Sequence, residues 1–198
     1  LFGIKMIPVR MNENGPDMDE IEALVRENDA IKGIWCVPQY SNPGGVTYSN
    51  DTVARLASMP CAATDFRIFW DNAYCVHHLY DTRQAHVADI AEACEKAGNP
   101  NRYFKFASTS KVTFPGAGIA AVAASEENIA QIKKRVSIQT VGYDKINQLR
   151  HVRFLKDAQG ISEHMKKHAE VIRPKFELVA RMLEEGLSDT GCASWSNP

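Results

Sequence analysis

The sequence predicts an α/β protein: a doubly wound, mostly parallel sheet, followed by helices leading to a smaller α/β domain. Three observations predict it. Short apolar runs of strand length alternate with amphipathic helical stretches up to about residue 142. Three of those runs end in unusual polar residues instead of ordinary turn residues. Beyond Gly142 the pattern changes to long amphipathic helices.

In chain order, residues 4–9 read as a short strand, and Asn12, Gly15 and Pro16 supply turn chemistry. Asp17 opens a helix: Asp17 and Glu20 have capping-box spacing, and Met18, Ile21, Leu24 and Val25 form one apolar face. Residues 31–37 are an apolar strand ending in a loop rich in Pro and Gly, 38–45. Residues 49–57 read as a helix, with a turn at Pro60. The next strand is 66–70. Residues 87–97 form a helix stopped by Gly98 and Pro100. Residues 103–107 and 119–124 are strands, the second built of small residues. Ser125 caps a helix over 126–136, with Ile129, Ile132 and Val136 inward. Helices then cover 143–157 and 161–185. In the second, Ile161, Met165, Ala169, Ile172, Phe176, Val179 and Leu183 recur every three or four residues. Pro174 lacks a backbone N–H, so a kink or break is expected near 172–174.

Composition narrows the function classes. A net charge of −1 gives no reason to expect nucleic acid or an anionic membrane as partner. No apolar run approaches the roughly 20 residues that span a bilayer. Five cysteines, odd in number and without CxxC spacing, read as reduced thiols of a cytoplasmic protein. The chain opens on Leu1 without a start methionine and stops at 195–198, where another strand or turn is expected to begin. It is therefore expected to be an interior piece of a larger protein.

In an open α/β sheet, ligands bind beyond the carboxyl ends of the strands. Here the strand ends carry Tyr40 and Asn42, then Asp71 and Tyr74, then Ser108, Ser110 and Lys111. Lys111 lies between a strand and a Gly-rich segment, where its ammonium is expected to lose water and favour the nucleophilic amine. The serines offer hydroxyls to a phosphate. Singly, Asp71 reads as a helix cap, Tyr74 as a half-buried strand residue and Asn42 as a turn former. Together, on one sheet edge with a lysine, they suit a pyridine-aldehyde cofactor with a phosphate tail. His77 and His78 invite a metal reading, but adjacent strand residues point to opposite faces. No metal site is assigned; one histidine is expected to line the site and the other to pack.

Residues 40–45, Tyr-Ser-Asn-Pro-Gly-Gly, resemble the Asn-Pro-x-Gly loop of fold-type I pyridoxal-phosphate (PLP) aminotransferases. Asp71-Asn72-Ala73-Tyr74 resembles their Asp-x-Ala-Tyr motif, and Ser108-Thr109-Ser110-Lys111 their Ser-x-Ser-Lys motif. The resemblance covers essentially the whole chain and leans towards the aspartate-aminotransferase-like, MocR-type branch. It implies transfer of an amino group between an amino acid and a 2-oxo acid by a cytoplasmic homodimer. Lys111 would hold the cofactor aldehyde as a Schiff base and then act as the base. Asp71 would face the pyridine nitrogen, Tyr74 and Asn42 the phenolate oxygen, and Ser108 and Ser110 the phosphate. Residues 1–142 would be part of the PLP-binding large domain, and 143–198 the connecting helices and the start of the small domain. The Asn42–Pro43 bond is expected to be cis. The resemblance also implies parts lying outside this chain: a glycine-rich phosphate loop and a ring-stacking aromatic before Leu1, and a carboxylate-binding arginine after Pro198. Many relatives carry an arginine eight residues after the lysine; this chain has Ile119. The same cofactor residues also serve lyases and decarboxylases, and a non-catalytic sensor domain of a transcription regulator is a further alternative.

Overall fold

A computed structural model of the protein describes residues 3–195. The strand or turn expected at the C-terminal end falls on 196–198, outside the described residues. A four-stranded sheet forms the frame: β3 (Gly33–Cys36), β4 (Arg67–Asp71), β5 (Tyr103–Ser108) and β6 (Ala120–Ala124), adjacent in that order. β3, β4 and β5 run parallel, and β6 runs antiparallel to β5. A two-residue pair, β1 (Met11–Asn12) with β2 (Gly15–Pro16), precedes it at the expected turn.

The strand expected at 4–9 does not form. Ile4, Met6 and Ile7 are exposed, and no described segment pairs with this stretch. An apolar run without a ladder partner has nothing to satisfy its amides as a strand.

Helix α1 (Met18–Glu27) starts where Asp17 accepts the Glu20 N–H at 3.2 Å. Only half of the capping box forms. The Glu20 carboxylate turns to the Arg10 N–H and guanidinium, and the Asp17 N–H donates to the Arg10 carbonyl. Helix α2 (Asn50–Ser58) is capped by Ser49, and α3 (Ile90–Lys96) by Asp89. The third helix starts three residues later than the apolar pattern indicates, because Asp89 is the first side chain able to accept an orphan N–H.

The parallel register sorts the sheet residues by face. Ile34, Cys36, Ile68, Trp70 and Tyr103 share one face and pack with Ile21, Val53, Leu56, Ile90 and Cys94 from α1–α3. Both crossover helices, α2 and α3, lie on that face and pack on each other. The opposite face carries stacked rings: Trp35 on Phe69 and Phe106, with Phe104 beside them. Lys105 lies on the helix side and pairs with Asp89 at 2.7 Å. Ile68 is fully buried at the centre of the sheet, so Ile68→Val should cost about 1 kcal/mol in urea unfolding. A loss under about 0.3 kcal/mol would mean that the site collapses around the missing methyl.

Helices α4 (Glu126–Gln139), α5 (Lys145–Leu155) and α6 (Ala158–Leu187) follow, capped by Ser125, Asp144 and Asp157. On α4 the residues expected inward, Ile129, Ile132 and Val136, are half-buried. Helix α6 runs through Pro174 without the expected break. The carbonyl that Pro174 cannot pair with belongs to Glu170, which is exposed, so water can satisfy it. Met165 and Ala169 are buried, whereas Phe176 and Val179 further along the same stripe are exposed. No helix among the described residues is long and apolar enough to cross a membrane.

Candidate functional site

The polar residues singled out in the sequence gather at the carboxyl ends of β3, β4 and β5. Asp71 is the last residue of β4 and pairs in register with Phe106 of β5, two residues before Ser108. The Asn72 N–H donates to the Phe106 carbonyl at 2.9 Å and extends that tie past the strand. Ser108 closes β5 opposite Ala120. The chain then turns tightly: the Val112 and Thr113 N–H groups both donate to the Thr109 carbonyl, which brings Lys111 round towards β4. The Lys111 ammonium sits 4.9 Å from the centre of the Tyr74 ring, a cation–π approach.

Asn42 and Tyr74 line one cavity of about 670 Å³, together with His77, His78, Tyr80 and the buried Met165 and Ala169 of α6. The loop that carries Asn42 has a cis Asn42–Pro43 bond, as expected. The Tyr40 hydroxyl is taken up within the protein, by His78 Nδ1 at 2.8 Å and the Ala85 N–H at 3.0 Å. Burial pushes both the His77 and His78 imidazoles below their ordinary range, towards the neutral ring.

Lys111 departs from expectation in one respect: it is exposed, so among the described residues nothing strips water from its ammonium. A ligand bound there would supply that desolvation. The donor set suits one. Among the described residues, the polar side-chain groups of Asn42, Asp71, Tyr74, Ser108, Ser110 and Lys111 make no hydrogen bond to the protein. The local bonds are made by backbone, by Thr109 and Thr113, and by histidines. A carboxylate, a phenol, an amide, an amine and two hydroxyls left free on one sheet edge fit a pyridine aldehyde bearing a phosphate.

Ile119 lies eight residues after Lys111, where the resemblance leads one to expect an arginine. Here its backbone matters: the Ile119 N–H donates to Thr109 Oγ1 at 2.9 Å, and its carbonyl accepts the Thr109 N–H at 2.9 Å. Gly118 packs against the serine turn. A Cβ there would lie 3.1 Å from the Ser110 nitrogen and 3.2 Å from its Oγ.

Three histidines hold the lysine turn: His151 and His164, to which the sequence alone assigns no role, and His77, one of a pair of which one is expected to line the site and the other to pack, whereas both line the cavity. His77 Nε2 meets the Lys111 carbonyl at 3.1 Å, and His164 Nε2 meets the Val112 carbonyl at 2.7 Å. His151 Nε2 lies 3.0 Å from Thr109 Oγ1 and 2.9 Å from Thr113 Oγ1. Asn147 Nδ2 donates to the Ala117 and Gly118 carbonyls. Helices α5 and α6 therefore pack onto the end of the sheet. The available signal was the spacing of Asn147 and His151, and of His164 and His168, four apart on amphipathic helices.

Comparison with known proteins gives a consistent answer. A protein of Mycolicibacterium smegmatis that carries an aminotransferase name is 53% identical over 197 residues, all of this chain and 46% of that protein. An aspartate transaminase of Corynebacterium glutamicum, solved as a crystal structure, superposes with a TM-score of 0.95 at 47% identity, covering 100% of this chain and 46% of that one. An α-aminoadipate aminotransferase of Thermus thermophilus, solved with N-(5′-phosphopyridoxyl)-L-leucine, shares the fold at a TM-score of 0.75 and 22% identity, over 93% of this chain and 46% of that one. The chain thus spans about half the length of the curated relatives it matches. A family model described as "Aspartate amino-transferase" matches residues 1–198, and the chain belongs to that family.

Proposed function

We propose that the protein carrying this chain is a PLP-dependent aminotransferase that moves an amino group between an amino acid and a 2-oxo acid. The observation that carries this reading is the convergence of Asp71, Tyr74 and Lys111 at one sheet end, with the Lys111 ammonium 4.9 Å from the Tyr74 ring. When bound, the cofactor supplies an electron sink. Lys111 Nζ would hold the cofactor aldehyde and would serve as the base for the substrate Cα proton. The Asp71 carboxylate would favour a proton on the ring nitrogen. Tyr74 Oη and Asn42 Nδ2 would donate to the ring oxygen. Ser108 and Ser110 would hold the phosphate through their hydroxyls, in place of the arginine expected where this chain has Ile119.

An amino-acid panel with a coupled 2-oxo-acid readout tests the function. The expected result is turnover with an amino donor and none without it; carbon dioxide or ammonia release in place of a 2-oxo acid would move the reading to a decarboxylase or lyase. Crowding the serine turn should weaken phosphate binding. Gly118→Ala is expected to raise the PLP Kd about tenfold in a fluorescence titration, and an unchanged Kd would take the phosphate away from Ser110.

Three finer points belong to the same proposal. The large domain ends near residue 142, and α5 and α6 connect it onward. The protein works as a homodimer, testable by size-exclusion chromatography with light scattering. Its compartment is the cytoplasm, which suits five cysteines that are all free.

A further inference from the structure

We propose that His77 and His164 are positioning residues for Lys111: their Nε2–H groups grip two successive carbonyls, Lys111 and Val112, and so set the direction in which the lysine side chain leaves the main chain. The inference rests on the reading of Lys111 as the cofactor-binding amine.

A carbonyl oxygen only accepts, so in each contact the histidine must donate. The bonds of 3.1 Å and 2.7 Å therefore place the proton of both rings on Nε2. The Lys111 carbonyl belongs to the peptide plane next to the Lys111 Cα. Holding it sets ψ of Lys111. The next carbonyl, on Val112, is held from a different element: His77 comes from the segment after β4, and His164 from the first third of α6. Two grips on adjacent peptides from two directions remove the rotation that one alone would leave. Val112, between them, is 7% exposed and anchors the turn in the interior.

His77 does a second thing with the same ring. It packs edge-on against Tyr74 at 5.6 Å, and Tyr74 carries the Lys111 ammonium over its face. One imidazole thus touches both the backbone of the lysine and the aromatic surface beneath its amine. His77 Nδ1 is buried and has no hydrogen-bond partner among the described residues. A second proton, on Nδ1, would find no well-formed hydrogen bond among the described residues, so the clamp favours the neutral Nε2–H form. Burial, opposed in part by the Lys111 and Tyr74 carbonyls, pushes the His77 imidazole the same way.

The test compares donor-free and donor-keeping variants of the cofactor-loaded protein. His77→Leu and His164→Leu remove the donor at similar bulk; His77→Gln and His164→Gln keep an amide N–H of comparable reach. Each leucine variant should lower kcat about tenfold with KM within about twofold. It should also move the pH midpoint of the cofactor's visible absorbance band by about half a unit or more. Each glutamine variant should return both readings towards the parent. Leucine variants with an unmoved midpoint and parental kcat overturn the proposal, as do glutamine variants as impaired as the leucine ones. If a leucine variant fails to fold, nitrogen-15 NMR of the parent reads the rings directly. Nε2–H on His77 and His164 near neutral pH supports the clamp, and Nδ1–H on either overturns it. Borohydride reduction with peptide mapping separates the two levels. A label on another lysine removes both this proposal and the reading beneath it, whereas a label on Lys111 with unmoved leucine variants removes this proposal alone.

Discussion

Lys111→Ala is expected to lower amino-group transfer by about 10⁴-fold, because one substitution removes both the covalent anchor and the base. Lys105, the nearest lysine in sequence, is not placed to take over. Lys105 lies on the helix face of β5 with its ammonium paired to Asp89, and it sits six residues earlier on a rigid strand. Lys111→Arg should fail nearly as badly. It keeps a cation near the Tyr74 ring but has no amine that can lose its proton at working pH. The measurement is single-turnover transfer on cofactor-loaded protein, with borohydride labelling alongside. An alanine variant within tenfold of the parent would move the chemistry to another residue.

Asp71→Asn is the second large effect, expected at about 10³-fold in kcat/KM, or roughly 4 kcal/mol. Asparagine keeps the shape of the side chain at the end of β4 and loses the charge. The strand end itself should not move, because it is tied by the Asn72 N–H to the Phe106 carbonyl and not by the carboxylate. A ring nitrogen without its anionic neighbour gives up its proton more readily, and a neutral ring accepts electrons poorly. The cofactor should still be bound and still be captured by borohydride. An Asp71→Asn protein with near-parental single-turnover rates would show that the carboxylate serves the strand and not the cofactor.

The site was legible because its residues sit at positions that local pattern marks. Apolar runs such as 66–70 and 103–107 identify the strands, and whatever follows a strand end in a parallel sheet lies on the ligand side. What surrounds the site was less legible. The small-residue run at 119–124 reads as a strand but carries no signal for direction, and it pairs antiparallel. Residues 4–9 have strand composition, but pairing depends on what lies beside them. Pro174 follows a sound local rule, yet the cost is small where the freed Glu170 carbonyl is exposed. The histidine contacts join residues 34 to 52 apart in sequence, and no local pattern reports such pairs. The hydration of Lys111 depends on the whole surface, so expecting its ammonium to be dry from flanking residues alone went too far.

The antiparallel return of β6 has a consequence for local opening. The lysine segment leaves the sheet at Ser108 and comes back at Ala120, opposite its own exit, with Thr109 and Ile119 bonded across the base. It is a closed loop, and α5 bridges it through Asn147 and His151. Such a loop cannot fray from one end. To expose the amides of Thr113 or Ile119 to exchange, the chain must release α5 as well. Thr113 and Ile119 should therefore trade their protons at the rate of the α5 interior, as one cooperative unit. Heat should then loosen the lysine turn and this distant helix in a single transition.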